Sequence, residues 1–263
     1  MGILDLFRLD GQVAIVTGAG RGIGAGIARA FAEAGADVAV AARTQAQIDE
    51  TKAAVEALGR RAIAVPCDVT EHAQLENLVD RTLDAFGRID IVVNNAGGWP
   101  PKPARAISVK EFDRCMSFNV SSAFALTQLA VPKIVETAGR GCVINISSAA
   151  GRQFSPGFAA YGTAKATLSF LTQELAQDYA PKIRVNAIAV GSTRTDALAG
   201  VLTPEMEKIM VDMTPLGRLG EVEDIAACAL YLASPAGSYV TGEVCGVAGG
   251  IVSSNLPIPR SYA

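Results

Sequence analysis

Short apolar runs rich in β-branched residues alternate along this chain with longer segments of helical periodicity. Seven runs are predicted strands, at Val13–Thr17, Val38–Ala42, Ala62–Pro66, Ile89–Asn94, Cys142–Ser147, Ile183–Ala189 and Glu243–Val247. Helical patterns lie between them, at 24–34, Gln45–Leu58, Glu71–Phe86, Val109–Thr137, Ala160–Tyr179 and Glu221–Ala233. Buried strands that alternate with helices are typical of a parallel sheet covered on both faces. The pattern therefore predicts an α/β fold, doubly wound around a seven-stranded parallel sheet.

No linker, low-complexity tract or block of charge divides the 263 residues. We therefore predict a single domain over 1–263, with an N-terminal lead-in at 1–10 and a C-terminal tail at 251–263. Half of the residues are hydrophobic and 19% are charged, so a large core is available. There is no apolar run of about 18 residues and no signal-peptide pattern at the N-terminus. We expect no membrane partner.

Charge and cysteine content narrow the class of protein further. The formal net charge of −3 gives no electrostatic case for binding nucleic acid. Five scattered cysteines without a Cys-x-x-Cys pair suggest reduced thiols in a cytoplasmic protein. The single histidine, His72, lies at a polar helix start. A serine–histidine hydrolase would need it as a base, and a zinc site would need more ligands, so we expect neither and no metal.

A glycine-rich turn joins the first strand to the first helix and contains Gly18, Gly22 and Gly24. Such glycines permit a tight turn and let backbone N–H groups approach a pyrophosphate at the helix N-terminus. The spacing Gly-x3-Gly-x-Gly differs from the commoner Gly-x-Gly-x-x-Gly, and a purely structural turn is the alternative. No Gly-Lys-Ser/Thr follows, which excludes a Walker-type phosphate loop. The turn favours a dinucleotide-binding, Rossmann-type domain.

The end of the second strand indicates which dinucleotide binds. An acidic residue there would hydrogen-bond the adenosine ribose and repel a 2′-phosphate. Ala42-Arg43-Thr44 offers no carboxylate, and the Arg43 guanidinium can pair with a phosphate. Arg21, inside the glycine turn, adds a second positive charge. Either arginine alone could be solvated, but together they favour NADP(H), with NAD(H) as the less favoured alternative.

Tyr161 and Lys165 lie four residues apart near the start of a predicted helix. Their Cβ atoms should therefore be about 5–6 Å apart on one helix face. A free phenol has a pKa near ~10, and a fixed ammonium group beside it should lower the pKa of Tyr161. Tyr161 is then a candidate acid/base, and Ser148 could hydrogen-bond the same substrate oxygen. The alternative is an ordinary helix turn, because Tyr-x3-Lys also occurs by chance.

These residues resemble the short-chain dehydrogenase/reductase family over Leu9–Gly250. The motifs stand in the family's order and spacing: Thr17-Gly-Ala-Gly-Arg-Gly-Ile-Gly24, Asp68-Val69, Asn94-Asn-Ala-Gly97, Asn119, Ser148 and Tyr161-x3-Lys165. Within the family, 94–103 and Leu202-Thr-Pro-Glu-Met-Glu look similar to the bacterial 7α-hydroxysteroid dehydrogenase branch.

The resemblance implies a catalytic set of Asn119, Ser148, Tyr161 and Lys165. Tyr161 would be the general acid in reduction and the general base in oxidation, and Lys165 would lower its pKa and hold the nicotinamide ribose. Ser148 would polarise the carbonyl group; its spacing from Tyr161 is the family's, whereas that of Ser147 is one residue off. Asn119 would hold a water in a proton relay to the lysine, with a polar helix face as the alternative.

The resemblance also implies cofactor contacts at the carboxyl edge of the sheet, where ligands bind in such folds. The predicted cofactor-binding residues are Gly18, Arg21, Gly22, Ile23, Gly24, Arg43, Asp68, Val69, Asn95, Gly97, Tyr161, Lys165, Thr193 and Thr195. Asn95 and Gly97 would line the ribose and nicotinamide. Asp68 and Val69 would contact the adenine end, although Asp68 could instead cap a helix. Val190-Gly191 replaces the family's Pro-Gly, which leaves the geometry of the following threonine loop open.

Three segments around this site are free to vary: Gly98–Pro103, Arg152–Phe158 and Ala197–Met213. Apolar side chains expected at the mouth are Trp99, Phe154, Phe158, Leu198, Leu202, Met206 and Met210. They indicate a bulky or flexible hydrophobic ketone or secondary alcohol, although such residues also occur in cores and subunit interfaces. Lys102 would meet an acidic group on the substrate or be solvated.

Three functions stay open from the sequence. The first is an NADP(H)-dependent ketone reductase or alcohol dehydrogenase, and the second is a 3-oxoacyl thioester reductase acting on an acyl-carrier-protein or CoA ester. The third is a non-catalytic NADP-binding protein, which an intact catalytic set disfavours because a pure binder does not need it. Homologues commonly form tetramers through the two long helices and the last strand, so the resemblance also implies a homotetramer.

Overall fold

Seven parallel strands form one sheet in the order β3-β2-β1-β4-β5-β6-β7. The computed structural model describes residues 2–195, 198, 200 and 202–258. The strands are β1 (Val13–Thr17), β2 (Asp37–Ala42), β3 (Ala62–Pro66), β4 (Ile91–Asn94), β5 (Gly141–Ser148), β6 (Ile183–Val190) and β7 (Val244–Val247). Each begins and ends within two residues of its predicted bounds. The predicted α/β fold with a seven-stranded parallel sheet is confirmed.

Helices cover both faces of this sheet. They are α1 (Gly22–Glu33), α2 (Gln45–Ala57), α3 (His72–Phe86), α4 (Val109–Met116), α5 (Ser122–Ala138), α6 (Ala159–Tyr179), α7 (Pro204–Asp212) and α8 (Val222–Ala233). Helices α1, α2 and α8 contribute to one apolar core, and α3, α5 and α6 to the other. Successive strand residues such as Val92 and Val93 face opposite cores, because side chains alternate along a strand. This arrangement is doubly wound, as predicted.

The helix predicted over Val109–Thr137 is interrupted. Helix α4 ends at Met116, a π-helical turn spans Ser117–Ser121, and α5 begins at Ser122. Hydrophobic periodicity does not reveal such a turn, because apolar residues on both sides of it are packed: those of α4 against α6, and those of α5 against the sheet. Single π-helical turns of this kind are frequent at functional sites. The turn contains Asn119, one of the predicted catalytic residues.

A buried polar ladder joins the carboxyl ends of β4 and β5. Asn94 Nδ2 donates to Thr127 Oγ1 at 3.1 Å and to Asn145 Oδ1 at 2.9 Å. Asn145 Nδ2 donates in turn to Thr172 Oγ1 on α6 at 2.9 Å. Fully paired buried polar groups rigidify their surroundings. The ladder therefore fixes α5 and α6 relative to the strand ends from which the site is built.

Some predicted features fall partly or wholly outside the described residues. Met1 of the lead-in, 197, 199 and 201 of the third variable segment, and 259–263 of the tail are among them. Within the described part of the chain, no helix is long and apolar enough to cross a membrane. All five cysteines are described and free; three are buried, and Cys228 and Cys245 are half-buried.

Candidate active site

The sheet order reverses between β1 and β4, and a crevice opens there at the carboxyl ends of the strands, as expected for this topology. At the bottom of this crevice, hydrogen bonds join Thr17 to Asn95. The Asn95 backbone N–H donates to Thr17 Oγ1 at 3.1 Å, and its side-chain Nδ2 donates to Thr17 O at 2.9 Å. Asn95 thus holds the last residue of β1 beside the segment that follows β4.

The glycine turn needs residues without a Cβ atom. Gly18 adopts a left-handed φ of 61°, and a Cβ there would lie 2.8 Å from Asn95 Nδ2. A Cβ at Gly24 would lie 2.5 Å from Gly18 O. Helix α1 begins at Gly22 and has no side-chain cap, so its first N–H groups are available to an anion. This cradle fits the pyrophosphate of a dinucleotide.

Helix α6 brings Tyr161 and Lys165 to the crevice. Lys165 is only 3% exposed, and its Nζ donates to Ile146 O in β5 at 2.8 Å. The same Nζ lies 5.8 Å from the centre of the Tyr161 ring. Ser148 ends β5, and its Oγ accepts from Ala150 N at 3.1 Å. The neighbouring Ser147 is turned toward α6 instead, where its Oγ donates to Lys165 O at 3.0 Å.

Burial is the main cause of the pKa shifts of Tyr161 and Lys165. It lowers the pKa of Lys165 to about 8 and raises the pKa of Tyr161, while a hydrogen bond from Ser148 pulls the pKa of Tyr161 back down. The prediction that Lys165 lowers the pKa of Tyr161 below its ordinary value is therefore wrong for this structure. Desolvation penalises the phenolate, and the ammonium group is bonded to Ile146 O.

Asn119 lies behind these residues, 1% exposed, rather than on a polar helix face. Its Oδ1 accepts from Gly98 N at 2.8 Å, and its Nδ2 donates to Gly98 O at 3.1 Å and to Cys115 O at 3.0 Å. A Cβ at Gly97 would lie 2.8 Å from Asn119 Oδ1 and 3.0 Å from Lys165 Nζ. A larger residue at position 97 would therefore have to displace the Asn119 amide or the Lys165 ammonium group.

The crevice is a cavity of about 560 Å³. It is lined by eleven of the predicted site residues: Gly18, Arg21, Gly22, Ile23, Asn95, Gly97, Ser148, Tyr161, Lys165, Thr193 and Thr195. Val190 extends β6 as a partner of Ser148 and Val247, so the threonine loop follows a regular strand end without the family's proline. The other five predicted residues, Gly24, Arg43, Asp68, Val69 and Asn119, do not line the cavity.

Two of those five, Arg43 and Asp68, lie near each other outside the cavity. Asp68 accepts from Thr70 N at 3.0 Å and from Thr70 Oγ1 at 2.7 Å, and α3 is preceded by Glu71 as its N-cap. The alternative that Asp68 caps the helix is therefore wrong. The backbone hydrogen bond from Thr70 is the main cause of a lowered pKa at Asp68, and the nearby positive charge of Arg43 adds to it. Arg43 itself is exposed.

The residues predicted at the mouth divide into two groups. Trp99, Phe158 and Leu198 line the cavity. Phe154 is 99% exposed and Met210 is fully buried. Neither of them lines the cavity, and Leu202 and Met206 do not line it either, so the prediction is wrong for these four residues. Lys102 is partly exposed and does not line the cavity, and its Nζ donates to Glu111 Oε1 at 2.7 Å.

One wall of the cavity was missed by sequence reasoning. Ile251, Ser254, Asn255 and Leu256, in the predicted tail, line it together with Gln153 and Ser155. No motif or periodicity marks these positions, because the segment has no regular secondary structure. Only the return of the chain past β7 brings it to the site.

Comparison with known proteins gives a family and close relatives. A short-chain dehydrogenase family model described as enoyl-(acyl carrier protein) reductase matches residues 18–252. The chain is 43% identical over 247 residues to a 7α-hydroxysteroid dehydrogenase of Escherichia coli, covering 94% of this chain and 96% of that protein. It is 34% identical over 248 residues to a 3-oxoacyl-[acyl-carrier-protein] reductase of Thermotoga maritima, covering 93% and 99%.

A solved structure is similar over almost the whole chain. It is a 7α-hydroxysteroid dehydrogenase complexed with NADH and 7-oxo glycochenodeoxycholic acid. The TM-score is 0.92 at 42% sequence identity, and the alignment covers 97% of this chain and 99% of that one.

Proposed function

Because the chain belongs to the short-chain dehydrogenase/reductase family, we propose that it transfers hydride between NADP(H) and a ketone or secondary alcohol. The observation that carries this proposal is the convergence of Ser148, Tyr161 and Lys165 on a cavity whose other end is the glycine cradle. We also propose that 1–263 form one dinucleotide-binding catalytic domain.

The side chains of the site would donate the proton that the carbonyl oxygen needs and would replace it from solvent. A phenol is protonated at neutral pH, burial raises the pKa of Tyr161 further, and the protonated form is the one that donates a proton to a carbonyl oxygen. Ser148 would hold that oxygen beside the phenol. Lys165, with a pKa of about 8, would supply positive charge next to the phenolate left by proton donation. Asn119 would hold a water behind Lys165 that returns the proton from solvent; in oxidation the direction reverses.

The cofactor would lie along the crevice. Gly18, Gly22 and Gly24, with Ile23, would hold the pyrophosphate, and Lys165, Asn95 and Gly97 the nicotinamide ribose. Thr193 and Thr195 would face the nicotinamide, and Asp68 and Val69 the adenine. When bound, the nicotinamide supplies or accepts the hydride.

We propose NADP(H) as the preferred cofactor. Arg43 is exposed at the end of β2, beside Asp68, and Ala42 brings no carboxylate to repel a 2′-phosphate. Arg21 lines the cavity at the start of α1. The NADH in the similar solved structure makes NAD(H) the alternative.

A hydrophobic, hydroxysteroid-like ketone or alcohol is the proposed substrate. A cavity of about 560 Å³ falls in the range of sites for small molecules. Trp99, Phe158, Leu198 and Ile251 give it apolar walls. Reduction of a 3-oxoacyl thioester is the second candidate, favoured by the similarity to the 3-oxoacyl-[acyl-carrier-protein] reductase.

A homotetramer is the proposed assembly, formed through α5, α6 and β7. Phe124 on α5 is 40% exposed and Phe170 on α6 is 63% exposed. Large exposed apolar side chains on neighbouring helices favour a subunit contact.

The Tyr161→Phe variant tests the reaction. Loss of the phenol should lower kcat by about 10²–10⁴-fold, the usual contribution of a positioned acid/base, while NADPH binding followed by fluorescence stays unchanged. Tyr179→Phe, on the same helix but outside the cavity, should keep full turnover. Undiminished turnover in Tyr161→Phe would remove Tyr161 as the acid/base.

The Arg43→Asp variant tests the cofactor. The new carboxylate should repel a 2′-phosphate, so the NADPH/NADH ratio of kcat/KM should fall by about tenfold or more. Arg140→Asp makes the same charge change at an exposed position beyond the opposite end of the sheet and should leave the ratio unchanged. If the NADPH/NADH ratio of kcat/KM is the same in Arg43→Asp as in Arg140→Asp, the role proposed for Arg43 is contradicted.

Steady-state assays with two ketones test the substrate. We expect kcat/KM for a 7-oxo bile acid to exceed that for an acetoacetyl thioester by about tenfold or more, because the cavity walls are apolar and fixed. The reverse order would favour the thioester reductase. NADPH binding without turnover of either ketone would favour a non-catalytic binding protein.

Sedimentation velocity tests the assembly. The wild-type chain should sediment as a tetramer, and Phe170→Glu should give smaller species, because it places a charge in an apolar contact. Phe154→Glu, at an exposed phenylalanine away from both helices, should stay tetrameric. A monomeric wild-type protein contradicts this part of the proposal.

A further inference from the structure

The C-terminal segment Ile251–Leu256 crosses the cavity wall and is tied to the loop that follows β5. Gln153 Nε2 donates to Ile251 O at 2.9 Å, and Ser254 Oγ donates to Ser155 Oγ at 3.0 Å. Val252, between these ties, is 91% exposed and faces solvent. This side of the segment is thus held to the loop by side chains that themselves line the cavity.

On its other side the segment is tied to α7 by Asn255. Its Nδ2 donates to Met210 O, in the last turn of α7, at 3.2 Å and to Thr214 Oγ1, just after α7, at 3.1 Å. Its Oδ1 accepts from Ser192 Oγ, just after β6, at 2.8 Å. One amide therefore joins the C-terminal segment, α7 and the end of β6.

The bonding of this amide fixes its orientation. Asn255 is 2% exposed, and both of its N–H groups and its carbonyl oxygen have partners inside the protein. Rotating the amide by half a turn would point Oδ1 at Met210 O, and two acceptors repel each other. A buried amide left without its hydrogen-bond partners would also cost free energy, because it has given up its hydrogen bonds to water. The three elements therefore have one favoured arrangement at this point.

Resting on the function proposed above, we propose that Asn255 is a positioning residue that determines substrate specificity: by holding α7 and the C-terminal segment together, it sets the position of the cavity wall opposite Ser148 and Tyr161. Asn255 and Ser192 line the same cavity as the candidate catalytic residues. Met210 is fully buried, so α7 itself is anchored where Asn255 holds it.

This arrangement has different consequences for large and small substrates. A bulky, rigid ketone fills the cavity and depends on a wall at a fixed distance from Tyr161, because a misplacement of about 1 Å can cost two orders of magnitude in rate. A small ketone needs only Ser148, Tyr161 and the cofactor. Loosening the wall should therefore affect the bulky substrate selectively.

The test compares Asn255→Asp with Ser253→Ala on two ketones. The aspartate keeps the size of the side chain but removes both donors and places a negatively charged oxygen against Met210 O. We expect KM for 7-oxo glycochenodeoxycholic acid to rise about tenfold, with kcat/KM for cyclohexanone and the Kd for NADPH unchanged. Ser253 is an exposed neighbour outside the cavity, and Ser253→Ala should match the wild type. Ser192→Ala, which removes only the contact to Oδ1, should change KM in the same direction by less.

Hydrogen exchange adds a measurement that does not need turnover. Peptides covering 204–214 should exchange faster in Asn255→Asp and at the wild-type rate in Ser253→Ala. An equal loss of kcat/KM for both ketones would mean a merely structural role, and unchanged KM or unchanged exchange would equally overturn the proposal. If the wild-type protein reduces neither ketone, the proposed function fails, while hydrogen exchange still decides whether Asn255 holds α7.

Discussion

The burial of one ammonium group, that of Lys165, constrains most of the site around it. Moving a cation out of water costs several kcal/mol unless the protein supplies partners. Lys165 is 3% exposed, and Ile146 O accepts one of its protons. Gly97 lies so close to Nζ that a side chain there would collide with it, and Asn119 packs against the same glycine. The end of β5, Gly97 and the π-helical turn therefore all lie around the Lys165 ammonium group. Burial lowers the pKa of this group to about 8.

The site combines a rigid floor with a wall made of separate pieces. The floor is built from strand ends that are cross-linked by the Thr17–Asn95 bonds and by the buried ladder through Asn94 and Asn145. The wall is built from a loop after β5 and from the C-terminal segment, and side-chain hydrogen bonds hold these pieces to each other and to α7 behind them. The floor suits a reaction that needs fixed geometry, whereas the wall can differ between relatives with different substrates.

Particular residues show how far sequence reasoning reached. The strands were found because buried parallel strands are short apolar runs. Tyr161 and Lys165 were singled out because residues four apart share one helix face, and Ser148 was preferred to Ser147 because of the resemblance to the family's spacing. Other details depended on what surrounds a residue. The pKa of Tyr161 rises because burial outweighs the hydrogen bond from Ser148, Asp68 bonds to Thr70 instead of capping α3, and Phe154 points into solvent. Each of these depends on neighbours distant in sequence.

The sequence by itself determined the order of strands and helices, the glycine turn and the residues gathered at the carboxyl edge, because local periodicity and short motifs encode them. The tertiary structure alone decided that the C-terminal segment forms part of the wall. Asn255 reaches the cavity only because the chain returns past β7 and meets α7 and the end of β6, contacts that span 45 and 63 residues of sequence. An irregular segment carries no periodicity, so its place is set entirely by the partners that satisfy its polar groups.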